Sequence, residues 1–236
     1  MRTLAVISRK GGVGKTTLSV NLATSAWRCG LKTVLADLDS QRSATFWSKT
    51  RRLDGPTVIP TTAGKLFPLW SAAANSGCEL MVLDTPASAE EETLQSLRLA
   101  DLALLVCRPN VFDIVALGRS IELLHQFDKR GLIVLNQAPS RRRGQEPEVV
   151  LSAARALRET GVPLARTGLR HRASFPASAA RGLSAEEQEP GGLAAREIAG
   201  VWEQVQSMLA MTRGAEPGAL PAIHAIQSEF GLPAGA

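Results

Sequence analysis

An α/β domain built on a mostly parallel, doubly wound sheet flanked by helices is the fold the sequence predicts, and three observations predict it. Short apolar, β-rich runs alternate with helix-like stretches. The runs are continuously apolar rather than alternating, which is the pattern of strands covered on both faces. The chain has 236 residues, 44% of them hydrophobic, enough for one domain with a real core.

The elements follow in order. Thr3–Ser8, Thr33–Asp37, Glu79–Asp84, Leu102–Cys107 and Leu132–Asn136 read as strands. Thr16–Arg28, Glu90–Leu99, Ile114–Phe127 and Glu148–Thr160 read as the helices between and after them, with Asp113 as a good N-cap for the third. The last strong helix is Ala194–Met211, where Ile198, Val201, Trp202, Val205, Met208 and Leu209 recur at helical spacing. The domain is expected to end near Met211. Residues 212–220, rich in Gly, Ala and Pro, read as a linker, and Pro221–Ala236 as a short tail. No internal repeat is found.

Composition narrows the setting. No run of about 18 apolar residues exists to span a membrane, and the N-terminus offers no signal peptide. Cys29, Cys78 and Cys107 are odd in number and far apart, which favours buried thiols in a reducing compartment over disulfides or a metal site. The net charge of +5, mostly arginine in the second half, favours polyanions without choosing among them.

The strongest motif follows the first strand: Ser8-Arg9-Lys10-Gly11-Gly12-Val13-Gly14-Lys15-Thr16-Thr17, and then a helix. Glycines let backbone N–H groups turn toward an anion, and the helix N-terminus adds partial positive charge. Lys15 is placed to reach β- and γ-phosphates, and the Thr16 hydroxyl to ligate Mg²⁺. This is a P-loop in its strand–loop–helix setting, with Arg9 where the general pattern has glycine. Downstream, Asp37 and Asp39 lie two residues apart at the end of the second strand, and so are expected to point the same way. Strand ends are where open α/β sheets bind ligands. A third strand, Leu80-Met81-Val82-Leu83-Asp84, has the form of a Walker B strand, with Asp84 as a Mg²⁺ contact.

Lys10-Gly-Gly-Val-Gly-Lys15-Thr is the deviant form of the loop, and at this point the sequence resembles the ParA/MinD family of deviant P-loop ATPases. The resemblance runs over roughly residues 1–210. It implies that Lys10 reaches across a homodimer interface to the partner's ATP, that Asp39 holds the attacking water, and that Asp37 supports the Mg²⁺ shell. Ser40 stands where the family has proline. Asn136 resembles the family's adenine-contacting asparagine, and Pro109 and Asp113 lie in a segment resembling its nucleotide-flanking, dimer-facing stretch. Gln41, Ser43 and Trp47 look like the small ParA ATPases, although Trp47 also suits a core. The resemblance further implies slow, partner-stimulated turnover, a small adaptor protein, and a cytoplasmic, nucleoid-associated setting. It also implies non-specific DNA binding, which would fall to Arg141, Arg142, Arg143, Arg166, Arg170, Arg172 and Arg181. Three rivals stay open, one of them a pure ATP-gated binding module with hydrolysis nearly lost, which Ser40 keeps in view although Lys10, Lys15, Asp39 and Asp84 argue against it. A MinD-like membrane cycle is disfavoured by a tail lacking Lys and Arg, and a P-loop metabolic enzyme would show itself by fast turnover of a small metabolite.

Overall fold

The computed structural model describes residues 1–87 and 90–210. The expected linker and tail, and the domain end at Met211, lie outside the described residues. Among the described residues six strands form one sheet: β1 (Arg2–Ile7), β2 (Thr33–Asp37), β3 (Thr57–Pro60), β4 (Leu80–Asp84), β5 (Leu102–Cys107) and β6 (Gly131–Leu135). Their spatial order is β3-β2-β4-β1-β5-β6, and every pairing is parallel. The helices that connect or follow them are α1 (Lys15–Arg28), α2 (Ser43–Thr50), α3 (Ala63–Asn75), α4 (Glu90–Leu99), α5 (Val111–Gln126), α6 (Glu148–Arg158), α7 (Ser174–Ala179), α8 (Ala185–Gln188) and α9 (Leu193–Leu209).

Two cores lie on opposite faces of the sheet, and the two-residue period of a strand assigns residues to each. Ala5, Ile7, Met81, Leu83, Ala103 and Leu105 face one core, closed by α3, α4, α5 and α6. Leu4, Val6, Leu80, Val82, Leu102 and Leu104 face the other, closed by α1, α2 and α9. Burial on both faces is why the central strands carry no polar alternation. The edge at β6 is covered by the segment 163–171. Ile133 donates to Pro163 O at 2.8 Å, Leu169 donates to Leu135 O at 2.8 Å, and Ala138 donates to Leu169 O at 3.0 Å.

Connectivity places the site. β1 runs on through α1 to β2 on one side, whereas β4 runs on through α4 to β5 on the other. β1 and β4 are adjacent, so the loops leaving them diverge and open a crevice at the carboxyl edge, the position such sheets use for ligands.

Elements absent from the sequence reading include β3, α2 and α3. β3 is only four residues long, and α3 carries Pro68 in its interior, a residue that normally ends a helix. Leu66, Leu69 and Ala73 are buried on its inner face, and that tertiary packing outweighs the missing hydrogen bond. The cap of α5 also differs. Asn110, not Asp113, is the N-cap, its side chain accepting from Asp113 N at 3.0 Å. Trp47 is a core residue, 3% exposed, with Nε1 donating to Leu183 O at 3.1 Å.

Candidate nucleotide site

The loop from Ser8 to Gly14 joins β1 to α1 with Gly12 at φ 71 and Gly14 at φ 89. Gly14 is required on two counts: its left-handed backbone, and a Cβ there would lie 2.3 Å from Asn136 Nδ2. Among the described residues no side chain caps α1. Its first N–H groups are therefore left for an anion, reinforced by the helix dipole.

Lys15 is buried, and its ammonium lies against Lys10 O at 3.4 Å. Burial lowers its pKa, while Asp84 and Asp39 oppose the shift. Lys10 is half-exposed, its N–H donating to Ser8 Oγ at 3.3 Å, and its ammonium has no partner among the described residues.

Asp84, at the end of β4, is fully buried. Ser19 Oγ donates to its Oδ1 at 3.0 Å, but Oδ2 has no hydrogen-bond partner among the described residues. Burial pushes its carboxyl up to about 7; the nearby Thr16 hydroxyl pulls it back, Asp37 raises it further, and Ser19 and Lys15 lower it. An orphaned buried carboxylate oxygen beside a threonine hydroxyl is a donor set suited to a hard divalent cation.

Asp37, expected to support the Mg²⁺ shell, has both carboxylate oxygens engaged by the protein. Its Oδ2 accepts from Thr45 N at 2.9 Å and Thr45 Oγ1 at 2.7 Å, and its Oδ1 accepts from Asp39 N at 3.2 Å. Both oxygens hold the loop and the start of α2, so Asp37 supports the site through Asp39. The expectation that Asp37 and Asp39 both lie at the end of the second strand is corrected: β2 ends at Asp37, and Asp39 lies in the following turn, its Oδ1 accepting from Gln41 N at 2.9 Å.

Asn136 closes the crevice from the β6 side. Its Nδ2 donates to Val13 O at 2.6 Å, and its Oδ1 accepts from Gln137 N at 2.8 Å. Its observed work is to clamp the phosphate loop. Gln137, which sequence reasoning missed, adds a second clamp from Nε2 to Gly12 O at 2.8 Å. Pro109 is buried after β5, and Asp113 pairs with Arg108, Nε to Oδ2 at 2.7 Å. Burial raises the Asp113 pKa, but hydrogen bonds from Arg108 outweigh this and leave it lowered. Ser19 was also missed, although it lies one turn after Lys15, on the face turned to β4.

The arginine group divides. Arg170 forms a bidentate pair with Glu146 and donates to Pro139 O at 2.8 Å, Arg172 pairs with Glu197 at 2.5 Å, and Arg141 reaches Glu146 at 2.9 Å. Arg170 and Arg172, expected to present charge to DNA, have guanidiniums that are half-buried and paired with glutamates. Arg142, Arg143, Arg166 and Arg181 are exposed.

With this geometry in place, a sequence profile of the CobQ/CobB/MinD/ParA nucleotide binding domain matches residues 4–185. The chain belongs to this family. Similar members include the maintenance of carboxysome distribution protein A of Gloeobacter kilaueensis, 33% identical over 190 residues, 78% of this chain and 83% of that protein. The chromosome-partitioning ATPase Soj of Thermus thermophilus is 32% identical over 130 residues, 43% of this chain and 52% of that protein. The fold is that of a Cyanothece McdA variant in complex with ATP, with TM-score 0.71 at 15% identity over 92% of this chain and 99% of that one. It is likewise that of the septum site-determining protein MinD complexed with Mg-ADP from Pyrococcus horikoshii, with TM-score 0.71 at 16% identity over 88% and 97%. ParA/MinD proteins are P-loop ATPases that use ATP with Mg²⁺, and the residues here fit both. Lys15, the loop amides and the first turn of α1 would hold the phosphates, and Thr16 and Asp84 the metal.

Proposed function

We propose that this chain is an ATP-dependent dimerising ATPase that partitions or positions a cargo, moving over non-specific DNA and answering to a small adaptor protein. The observation that carries the reading is the half-exposed Lys10, whose ammonium has no partner among the described residues, in a loop whose second signature lysine, Lys15, is turned inward. A charge placed there is available to a triphosphate held by a second copy, much as an arginine finger acts in trans. The surface beside it suits such a copy. Val111, Phe112 and Val115, at the start of α5 on the same edge of the sheet, are 70%, 78% and 73% exposed, and apolar groups left clustered in water favour association.

In this reading the chain's residues act by positioning and charge stabilisation, which suit the loose transition state of phosphoryl transfer. Lys15 and the loop amides orient the γ-phosphate, and bound Mg²⁺ supplies neutralisation of developing charge. Asp39 orients the attacking water. Lys10 enters from the partner and stabilises charge on the transferring group. Among the described residues no strong general base stands in the crevice, which accords with slow basal turnover that a partner accelerates. The similarity to proteins named for carboxysome distribution and chromosome partitioning supports a cargo-positioning role. Among the described residues no helix is long and apolar enough to cross a membrane. The reading places the protein in the cytoplasm over the nucleoid, with Arg142, Arg143, Arg166 and Arg181 contributing counterion release at the DNA backbone.

The test is Asp39→Ala followed by size-exclusion chromatography with light scattering. With ATP and Mg²⁺ the variant accumulates as a dimer, and adding Lys10→Ala returns it to monomer. A variant that stays monomeric with saturating ATP removes the proposal. Fast turnover that depends on a small metabolite would instead assign the site to metabolic chemistry.

A further inference from the structure

We infer that Arg42 is a positioning residue for hydrolysis, its guanidinium a strut that fixes the turn carrying Asp39. The inference rests on the reading of Asp39 given above.

Arg42 is the N-cap of α2 and has φ 54 and ψ 37. That left-handed backbone suits glycine, and a side chain there is disfavoured by its Cβ. A strained residue at a site invites the question of what its side chain does. Here Nη1 donates to Asp37 O at 2.5 Å and to Thr61 O at 3.0 Å. Asp37 ends β2 and Thr61 follows β3, so the guanidinium ties together two carbonyls at the carboxyl edge of the sheet. Thr61 N adds a bond to Asp37 O at 2.9 Å.

Between these anchors lies the turn of interest. Arg42 N donates to Asp39 O at 2.9 Å, closing Asp39 to Arg42 as a single turn. The carboxylate of Asp37 holds the entry of that turn through Asp39 N and the helix beyond it through Thr45. The guanidinium holds its exit. Without the strut the turn keeps its own backbone bond but loses its tie to β3, so Asp39 gains freedom relative to the phosphate loop. Removal would leave the loop amides, Lys15 and Asp84 untouched, so binding and hydrolysis should separate. The contact set also distinguishes Arg42 from the exposed arginines of the flank: its donor points at backbone carbonyls of the sheet rather than outward.

Full-length wild type, Arg42→Gly and Arg42→Lys are compared for affinity toward a fluorescent ATP analogue, kcat, melting temperature, and hydrogen exchange at the amides of residues 39–42. Glycine takes the left-handed backbone freely, so Arg42→Gly folds and melts no lower than wild type. It binds the analogue within about twofold of wild type, loses about tenfold or more in kcat, and exchanges faster at the turn. Lysine keeps a donor able to reach one carbonyl and recovers part of kcat. Arg42→Gly with kcat and exchange like wild type overturns the inference alone. A fall in kcat that merely follows lost affinity or lost stability overturns it as well. A wild type that binds ATP and never hydrolyses it removes the reading of Asp39, and this inference with it.

Discussion

At the carboxyl edge of the sheet, charged groups are buried with too few partners. On the flank formed by α6, α9 and the segment over β6, they are half-buried and paired. Asp84 Oδ2 has no hydrogen bond among the described residues, and Lys15 has only a long contact to a carbonyl. Arg170 and Arg172, by contrast, meet Glu146 and Glu197 in multidentate pairs. An isolated buried charge is costly, so it persists where a ligand completes it. A paired one is already complete and holds the protein to itself. The same residue types thus mark a site in one region and architecture in the other.

The largest effect that tests this contrast is at Lys15. Lys15→Gln removes the cation from a desolvated loop while keeping its length, and ATP affinity by titration calorimetry should fall at least about a hundredfold. The fold should hold, since the lysine makes one weak protein contact. Affinity retained within a few-fold would show that the edge binds no phosphate.

On the flank the signs reverse. Arg172→Ala leaves the half-buried Glu197 without its charge partner, with only the Arg170 N–H still donating to it, and should lower stability in urea by about 1.5–3 kcal/mol. The pair Arg142→Glu and Arg143→Glu should leave stability within about 0.5 kcal/mol and weaken DNA retention at low salt. If Arg172→Ala spares stability and alone releases DNA, the division of the arginines is wrong.

The edge was legible in the sequence because its chemistry depends on backbone placement. A loop of fixed spacing, a strand ending in Asp84 and a helix starting at Lys15 leave few ways to arrange their groups. The arginines were not legible in the same sense. Arg170 and Arg172 have partners 24 and 25 residues away in the chain, and which glutamates they meet is decided by how 163–171 lies along β6. The contacts of Asp37 were hidden for a related reason: its Oδ2 is taken by Thr45 on a helix, α2, that periodicity does not announce in eight residues. β3 and α3 escaped because prolines at both ends of the strand and inside the helix argue locally against what packing enforces.

A smaller effect concerns acid. Hydrogen bonds from Arg170 are the leading reason Glu146 sits below its ordinary pKa, with Arg141 adding to them and burial opposing. A carboxyl depressed in the folded state stabilises the fold above its unfolded value, about 4.3, and that contribution fades as pH falls through the lower folded value. Arg170→Ala should therefore be less stable than wild type at pH 7, with the gap narrowing below about pH 4. A gap constant from pH 7 to about pH 3 would mean that the pair contributes packing rather than charge.

The smallest effect compares the frame beneath the two regions. Cys107 ends β5 beside the nucleotide edge, and Cys78 precedes β4 at the opposite end of the sheet. Burial pushes both thiols up to about 12. At pH 8 only about one molecule in ten thousand then carries either thiolate, and a disulfide reagent attacks the thiolate. Cys29, partly exposed and accepting from Trp202 Nε1 at 3.4 Å, should react first, as a single equivalent with Cys78 and Cys107 protected. Saturating ATP should slow neither buried thiol further if the sheet is equally rigid at both ends. Selective labelling of Cys107 in the free protein, suppressed by ATP, would instead show that the unsatisfied charges at the site loosen the strand ends that carry them.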